Sequence, residues 1–236
     1  MYIYIDNNVL IDYEDEKIDL PLNLNITYVY SYVHLQELLE ATDNLKMRQN
    51  VRIQTIKKLT RNKCVSHDSN NQLSLYEKDP SDVFTSVNSP LSRMCSLLIH
   101  QANRHWILDD FPKVFIEELK IEKKVINNYT PEKLIEEYGE IIMNYIASTS
   151  NSTQEKFQSF FNILDAIGFW QDKVYKESTM NRSYDANHAY FATLCDYFVT
   201  NDRNTRLKAN VAYRLYGFKT KAVSYEEFIK SINGKS

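Results

Sequence analysis

Glycine and proline are scarce in this 236-residue chain, at four and five residues. So few turn formers exclude the many short strands and tight turns of an all-β sandwich or barrel. Cysteine is scarcer still, and Cys64, Cys95 and Cys195 lie far apart. That odd, dispersed set excludes a disulfide framework and the paired spacing of a zinc site, and it points to reduced thiols in a cytoplasmic protein. No apolar run approaches the length of a membrane span, and Met1 leads straight into Tyr-Ile-Tyr-Ile without a secretory pattern. Positive charge is not in excess either, because the net charge is −3. Overall charge therefore does not announce a nucleic-acid partner.

What is present is enough for a real core. Hydrophobic residues make up 43% of the chain, and 17 tyrosines and 11 phenylalanines supply much of the apolar bulk. Charge is informative locally. Between Asn44 and Lys63 seven basic residues (Lys46, Arg48, Arg52, Lys57, Lys58, Arg61 and Lys63) run without an acid. Six more, from Arg203 to Lys221, do the same. Two such stretches are candidate phosphate-binding surfaces, although solvated helix faces give the same pattern.

The apolar run 2–5 reads as a strand buried on both faces, ending at the polar step Asp6-Asn7-Asn8. A second β-rich run spans 26–30, followed by Ser31 as N-cap of a helix carrying Leu35, Leu38 and Leu39. Residues 62–90 read as loop with one short strand at 73–76. From Leu91 to about Lys176 the pattern is helical, with a start at Thr130-Pro131 and another near Thr153 that runs on to Lys176. Asp185 reads as the opening of a helix, 197–199 as a strand, 205–215 as a helix ending near Gly217, and 219–223 as a last strand before the cap Ser224. Strands separated by helices imply an α/β fold with a mainly parallel central sheet and flanking helices. A single domain over 1–236 is expected, carrying a largely helical insertion at about 90–178.

The carboxylates fall at telling places in that layout. Asp6 follows the first strand, Asp202 follows the 197–199 strand, Glu37 lies on the helix after the second strand, and Asp185 heads the helix before Asp202. In open parallel sheets, ligands bind at the edge where the strands end. Four acids converging there would repel one another, and a hard divalent cation such as Mg²⁺ or Mn²⁺ relieves the repulsion. Such a cation activates water and offsets charge on a leaving phosphate oxygen, so this chemistry needs no serine or cysteine nucleophile. Each acid alone is as readily a cap, a turn residue or an exposed helix position. The pattern gains weight from all four together.

The motifs resemble a known family. Tyr4-Ile-Asp6-Asn-Asn-Val9-Leu10, His34-Leu-Gln-Glu37-Leu-Leu39 and the segment Asp185 to Asp202, ending Val199-Thr200-Asn201-Asp202, are similar to the acidic motifs of PIN-domain ribonucleases. Lys221-Ala-Val-Ser-Tyr-Glu-Glu-Phe228 resembles the family's last strand and closing helix. The resemblance covers about 1–60 and 181–232. It implies Asp6, Glu37, Asp185 and Asp202 as catalytic metal ligands for Mg²⁺ or Mn²⁺, and hydrolysis of RNA phosphodiesters. Supporting roles fall to Asn7, Thr200 and Asp196, the last more suited to anchoring backbone, and phosphate contacts to Arg203 and Arg206. His34 and His188 are candidate proton donors, and Asn103-Arg-His-Trp106 has chemistry compatible with nucleic acid. Roles as a toxin with an antitoxin partner, as a homodimer, or in defence or RNA processing are all compatible with the sequence. The competing expectation is a non-catalytic PIN-like scaffold that binds RNA or protein. A phosphatase using Asp6 as nucleophile is disfavoured, because no second aspartate lies two residues on.

Overall fold

The computed structural model describes all residues except 23–24, 41–47, 96–97, 99–115, 118–119, 171–177 and 235–236. In chain order its elements are β1 (Tyr2–Ile5), α1 (Asn7–Glu14), β2 (Thr27–Val29), α2 (Tyr32–Glu40), α3 (Gln49–Thr60), β3 (Lys63–His67), β4 (Leu73–Glu77) and α4 (Pro80–Val87). Then follow α5 (Lys123–Ile126), α6 (Pro131–Thr149), α7 (Thr153–Ile167), α8 (Ser178–Phe191), β5 (Tyr197–Val199), α9 (Arg203–Leu215), β6 (Lys221–Val223) and α10 (Tyr225–Asn233). The chain divides into two compact units. One comprises Met1–Met94, Phe191–Asp202 and Thr220–Ser236; the other comprises Cys95–Tyr190 and Arg203–Lys219.

The first unit holds a four-stranded, all-parallel sheet in the order β2-β1-β5-β6. β1 is central because Ile3, Tyr4 and Ile5 carry apolar side chains on both faces, and all three are buried. It pairs Tyr4 with Val29 on one side and Phe198 on the other. The chain leaves β1 toward β2 and later returns on the opposite side as β5, so the order reverses at the ends of β1 and β5. Such a reversal opens a crevice beyond the carboxyl ends of the strands. Val9 and Leu10 of α1, Leu35 and Leu38 of α2, and Ile53, Ile56 and Leu59 of α3 bury their apolar stripes in one core with the sheet.

Several ends follow local chemistry. Asp6 is the N-cap of α1, and Ser224 with Glu227 forms a reciprocal capping box on α10. Gly217 supplies a positive φ just past α9. The strand expected at 73–76 is β4, and it pairs with the unexpected β3 in an antiparallel hairpin, while the loop expected around it also holds the helix α4. The hairpin docks on the sheet through a parallel bridge between Tyr30 and Cys64, with the Val65 N–H donating to the Tyr30 carbonyl at 2.7 Å. The motif Asn103–Trp106 lies outside the described residues.

The second unit is helical around α6, α7, α8 and α9. α7 ends at Ile167 rather than near Lys176, because Gly168 adopts the left-handed conformation that closes the helix. An aromatic cluster of Phe157, Tyr190, Tyr213, Tyr216 and Phe218 fills this unit. Beside it Asp165 is buried between two cations, with Lys208 Nζ at 2.5 Å and Arg182 Nε at 3.2 Å. No described helix is long and apolar enough to cross a membrane.

The cysteines differ sharply in environment. Cys64 and Cys195 are buried and Cys95 is exposed. Burial pushes the Cys64 thiol up to about 11 and raises the Cys195 thiol as well. Thiolate is the reactive form, so at pH 8 the native protein should react with Ellman's reagent rapidly at Cys95 only, and at all three thiols in denaturant. Rapid native reaction of a second thiol would contradict this burial.

Candidate metal centre

The site in the first unit is built on Asp6. The residue is 5% exposed, and donors from Asn7, Asn8 and Thr200 reach its carboxylate. The Asn7 N–H reaches Oδ1 at 2.7 Å, while the Asn8 side-chain amide and the Thr200 hydroxyl reach Oδ2 at 2.7 and 2.6 Å. Thr200 is fully buried one residue past β5, and its hydroxyl also accepts from Asn8 Nδ2 at 2.9 Å and the Asp202 N–H at 3.2 Å. One hydroxyl therefore ties the backbone of Asp202 to the carboxylate of Asp6. Asn8 completes the clamp, because its Oδ1 accepts from the Asn201 N–H at 3.2 Å.

Glu37 arrives from α2, and its carboxylate accepts a hydrogen bond from the Asn7 side-chain amide. Asn7 thus contacts Asp6 through its backbone and Glu37 through its side chain. Its Nδ2 also donates to the His34 carbonyl at 3.2 Å, and its Oδ1 faces Arg52 Nη1 at 3.4 Å. Arg52 is itself buried and held by Glu14 through two bonds, at 2.5 and 2.8 Å. The chain Glu14–Arg52–Asn7–Glu37 sets which way the Asn7 amide points.

His34 performs a different task from proton donation. Its Nε2 lies 2.6 Å from the Ile5 carbonyl, which only accepts, so that nitrogen carries the proton. Nδ1 then accepts from the Ser31 N–H at 3.1 Å. The ring pins α2 to the end of β1, directly before Asp6. Tyr4 lies alongside and bonds Ser31 Oγ at 2.6 Å. Burial pushes its phenol well above the ordinary range. The Ser31 bond offsets part of this, and the nearby Asp6 and Glu37 carboxylates add to it.

Asp6, Asn7, Glu37, Thr200 and Asp202 therefore belong to one unit at one end of one sheet. Asp185 belongs to the second unit and sits well inside α8 rather than opening a helix, because that helix begins at Ser178. His188, on the same helix, is buried. Asp196 lies before β5, at the other end of the strands, where its carboxylate accepts from the Tyr2 N–H at 2.8 Å. It anchors the start of β1. Asn8, Arg52 and Glu14 are contributors that periodicity does not reveal. The one signal for Asn8 is its place two residues after a strand-end aspartate.

The first basic stretch is neutralised in part, with Lys58 and Arg61 left exposed. Arg48 pairs with Asp15, Arg52 with Glu14, Lys57 with Asp79 and Lys63 with Glu77. Lys57 beside Asp79 holds that carboxyl below its usual value, and Arg48 with Lys17 does the same for Asp15. Lys46 lies outside the described residues. In the second stretch Lys208 is buried against Asp165 and Arg214 pairs with Glu132. Arg206 is half-buried and Arg203 exposed.

The residues fit a hard divalent cation in donor type and support: carboxylate oxygens, with Asp6 oriented by hydroxyl and amide donors as metal ligands are. Among the described residues, however, no group of three or more His, Cys, Asp or Glu side chains is gathered closely enough to hold a metal. Asn7 and Asn8 stand between the acids and engage their oxygens. No family model, curated protein or solved structure matches the chain.

Proposed function

We propose that the chain is a nuclease dependent on Mg²⁺ or Mn²⁺ that hydrolyses RNA phosphodiesters, with Asp6, Glu37, Asp185 and Asp202 as its acidic ligands. The observation that carries this reading is the buried Asp6 carboxylate at the switch point of a parallel sheet, held by Thr200, Asn8 and Asn7. A buried carboxylate with so many fixed donors is oriented for a ligand rather than left to solvent. Asp185 enters through the sequence resemblance alone. When bound, such a cation supplies an activated water and neutralises charge on the leaving oxygen. The chain's own residues prepare the site. Thr200 fixes the angle of Asp6, Asn7 holds Glu37 toward it, and His34 fixes the end of β1.

A second reading, a non-catalytic scaffold that binds RNA or a protein, is favoured by one observation. The carboxylates are already bonded to amide donors, and no three metal-binding groups gather among the described residues. Calorimetry with Mn²⁺ beside a cleavage assay on single-stranded RNA separates the two. Metal binding together with cleavage that EDTA abolishes supports the nuclease. RNA binding with neither metal binding at millimolar concentration nor cleavage establishes the scaffold.

A further inference from the structure

Arg203 is the first residue of α9, and its guanidinium carbon lies 4.1 Å from the centre of the Trp170 ring. The ring is fixed. Its Nε1–H donates to the Tyr129 carbonyl at 3.1 Å. The Trp170 backbone takes φ +45°, a left-handed conformation that a bulky residue adopts only when its surroundings impose it. The turn closing α7 thus presents an indole face, and the guanidinium of the exposed Arg203 lies over it.

Two other cations of the same helix are committed differently, and Arg206 is half-buried. Lys208 is buried against Asp165, and Arg214 is paired with Glu132. Arg203 has no acidic partner among the described residues. Its one recorded contact is the ring, which engages a face and none of its N–H donors. A guanidinium carries five N–H donors in a rigid fork matched to two phosphate oxygens. Stacking restrains that fork before a ligand arrives, so less side-chain entropy is lost on binding. The outer guanidinium face is also a surface on which an unpaired base can stack.

We infer that Arg203 on Trp170 is a binding site for the phosphodiester of a single-stranded nucleic acid, with the fork on phosphate and the open face under a base. An acidic peptide offers the same fork of oxygens. The choice of nucleic acid rests on the nuclease reading, because Arg203 directly follows Asp202.

The chain has two tryptophans, so Trp106→Phe leaves Trp170 as its sole tryptophan. This variant is titrated with a short oligouridylate in EDTA, following tryptophan emission and, in parallel, the anisotropy of a labelled oligomer. The site predicts a saturable change in Trp170 emission. Arg203→Lys keeps the charge but loses the fork and much of the stacking, and should bind roughly tenfold more weakly. Arg203→Ala should also lower the salt dependence by about one released counterion. Binding of both variants at the parent's affinity would overturn the site. So would absence of any binding. Polyglutamate binding as tightly as oligouridylate at equal ionic strength would overturn the choice of nucleic acid. Because no divalent cation is present and no cleavage is read, loss of cleavage in Asp6→Asn with binding kept counts against neither the stacked pair nor its ligand.

Discussion

Under the proposed nuclease function, Asp6→Asn is expected to lower Mn²⁺-dependent cleavage of single-stranded RNA by on the order of 10³-fold, since a catalytic cation supplies several kcal/mol and each ~1.4 kcal/mol is tenfold in rate. The substitution keeps the side chain's size and removes the charge. Folding should survive it. Asn caps a helix as well as Asp, so the Asn7 N–H keeps an acceptor at Oδ1. The Thr200 hydroxyl can rotate, but Asn8 Nδ2 would meet a donor or lose its partner at Oδ2. A stability loss of about 1–2 kcal/mol follows, the cost of one or two compromised buried hydrogen bonds. Circular dichroism and thermal unfolding would verify that the protein remains folded. Asp202→Asn should behave likewise with a smaller structural cost, because Asp202 is exposed and its tie to Thr200 uses the backbone N–H. Unchanged cleavage in both variants would remove these acids from the mechanism.

The largest stability effect should come from the second unit, at Asp165. Its side chain is 2% exposed, as is that of Lys208, and that of Arg182 is 4% exposed. Asp165→Asn keeps the shape but removes the negative charge that lies against two buried cations. Breaking a buried charge cluster in this way costs about 3–5 kcal/mol. Lys208→Met should cost far less, since it leaves Asp165 paired with Arg182 and replaces a desolvated ammonium by an apolar chain of similar length. The ranking separates an electrostatic cause from mere crowding. Urea denaturation of both variants tests it, and a loss below about 1 kcal/mol in Asp165→Asn would show that the cluster is not held by charge. The Arg214–Glu132 pair is a contrast: both side chains are more than half exposed, so removing it should change little.

The fold was legible where side-chain pattern and burial coincide. Residues 2–5 and 197–199 are short, wholly apolar runs, and both are interior strands of the parallel sheet. The capping box at Ser224 is written in four consecutive residues and appears as such. The strand Lys63–His67 was not legible, because only Cys64 and Val65 of its five residues are buried and its partner strand is half-exposed. The helix after Asp79-Pro80 carries a proper start signal inside a run of polar residues that masks it. Of the candidate site, Asp6, Glu37, Thr200 and Asp202 could be placed at one sheet end from topology alone. Arg52 could not, since burial beside Glu14 depends on α1 and α3 meeting across 38 residues of chain. The same applies to the first basic stretch, whose neutralising acids at 14, 15, 77 and 79 come from distant segments.

The bridge between Tyr30 and Cys64 has a consequence for how the protein avoids its own kind. A parallel sheet exposes a row of unpaired N–H and carbonyl groups at each margin, and these recruit strands from other molecules. Here the chain just past β2 is bridged at Tyr30 by the β3–β4 hairpin from the same chain. The opposite margin, β6, is three residues long and begins with the exposed Lys221. A strand from a second copy would meet the hairpin next to β2, and on the other side a three-residue strand that opens on a lysine. Both features disfavour sheet extension, without a proline in any described strand.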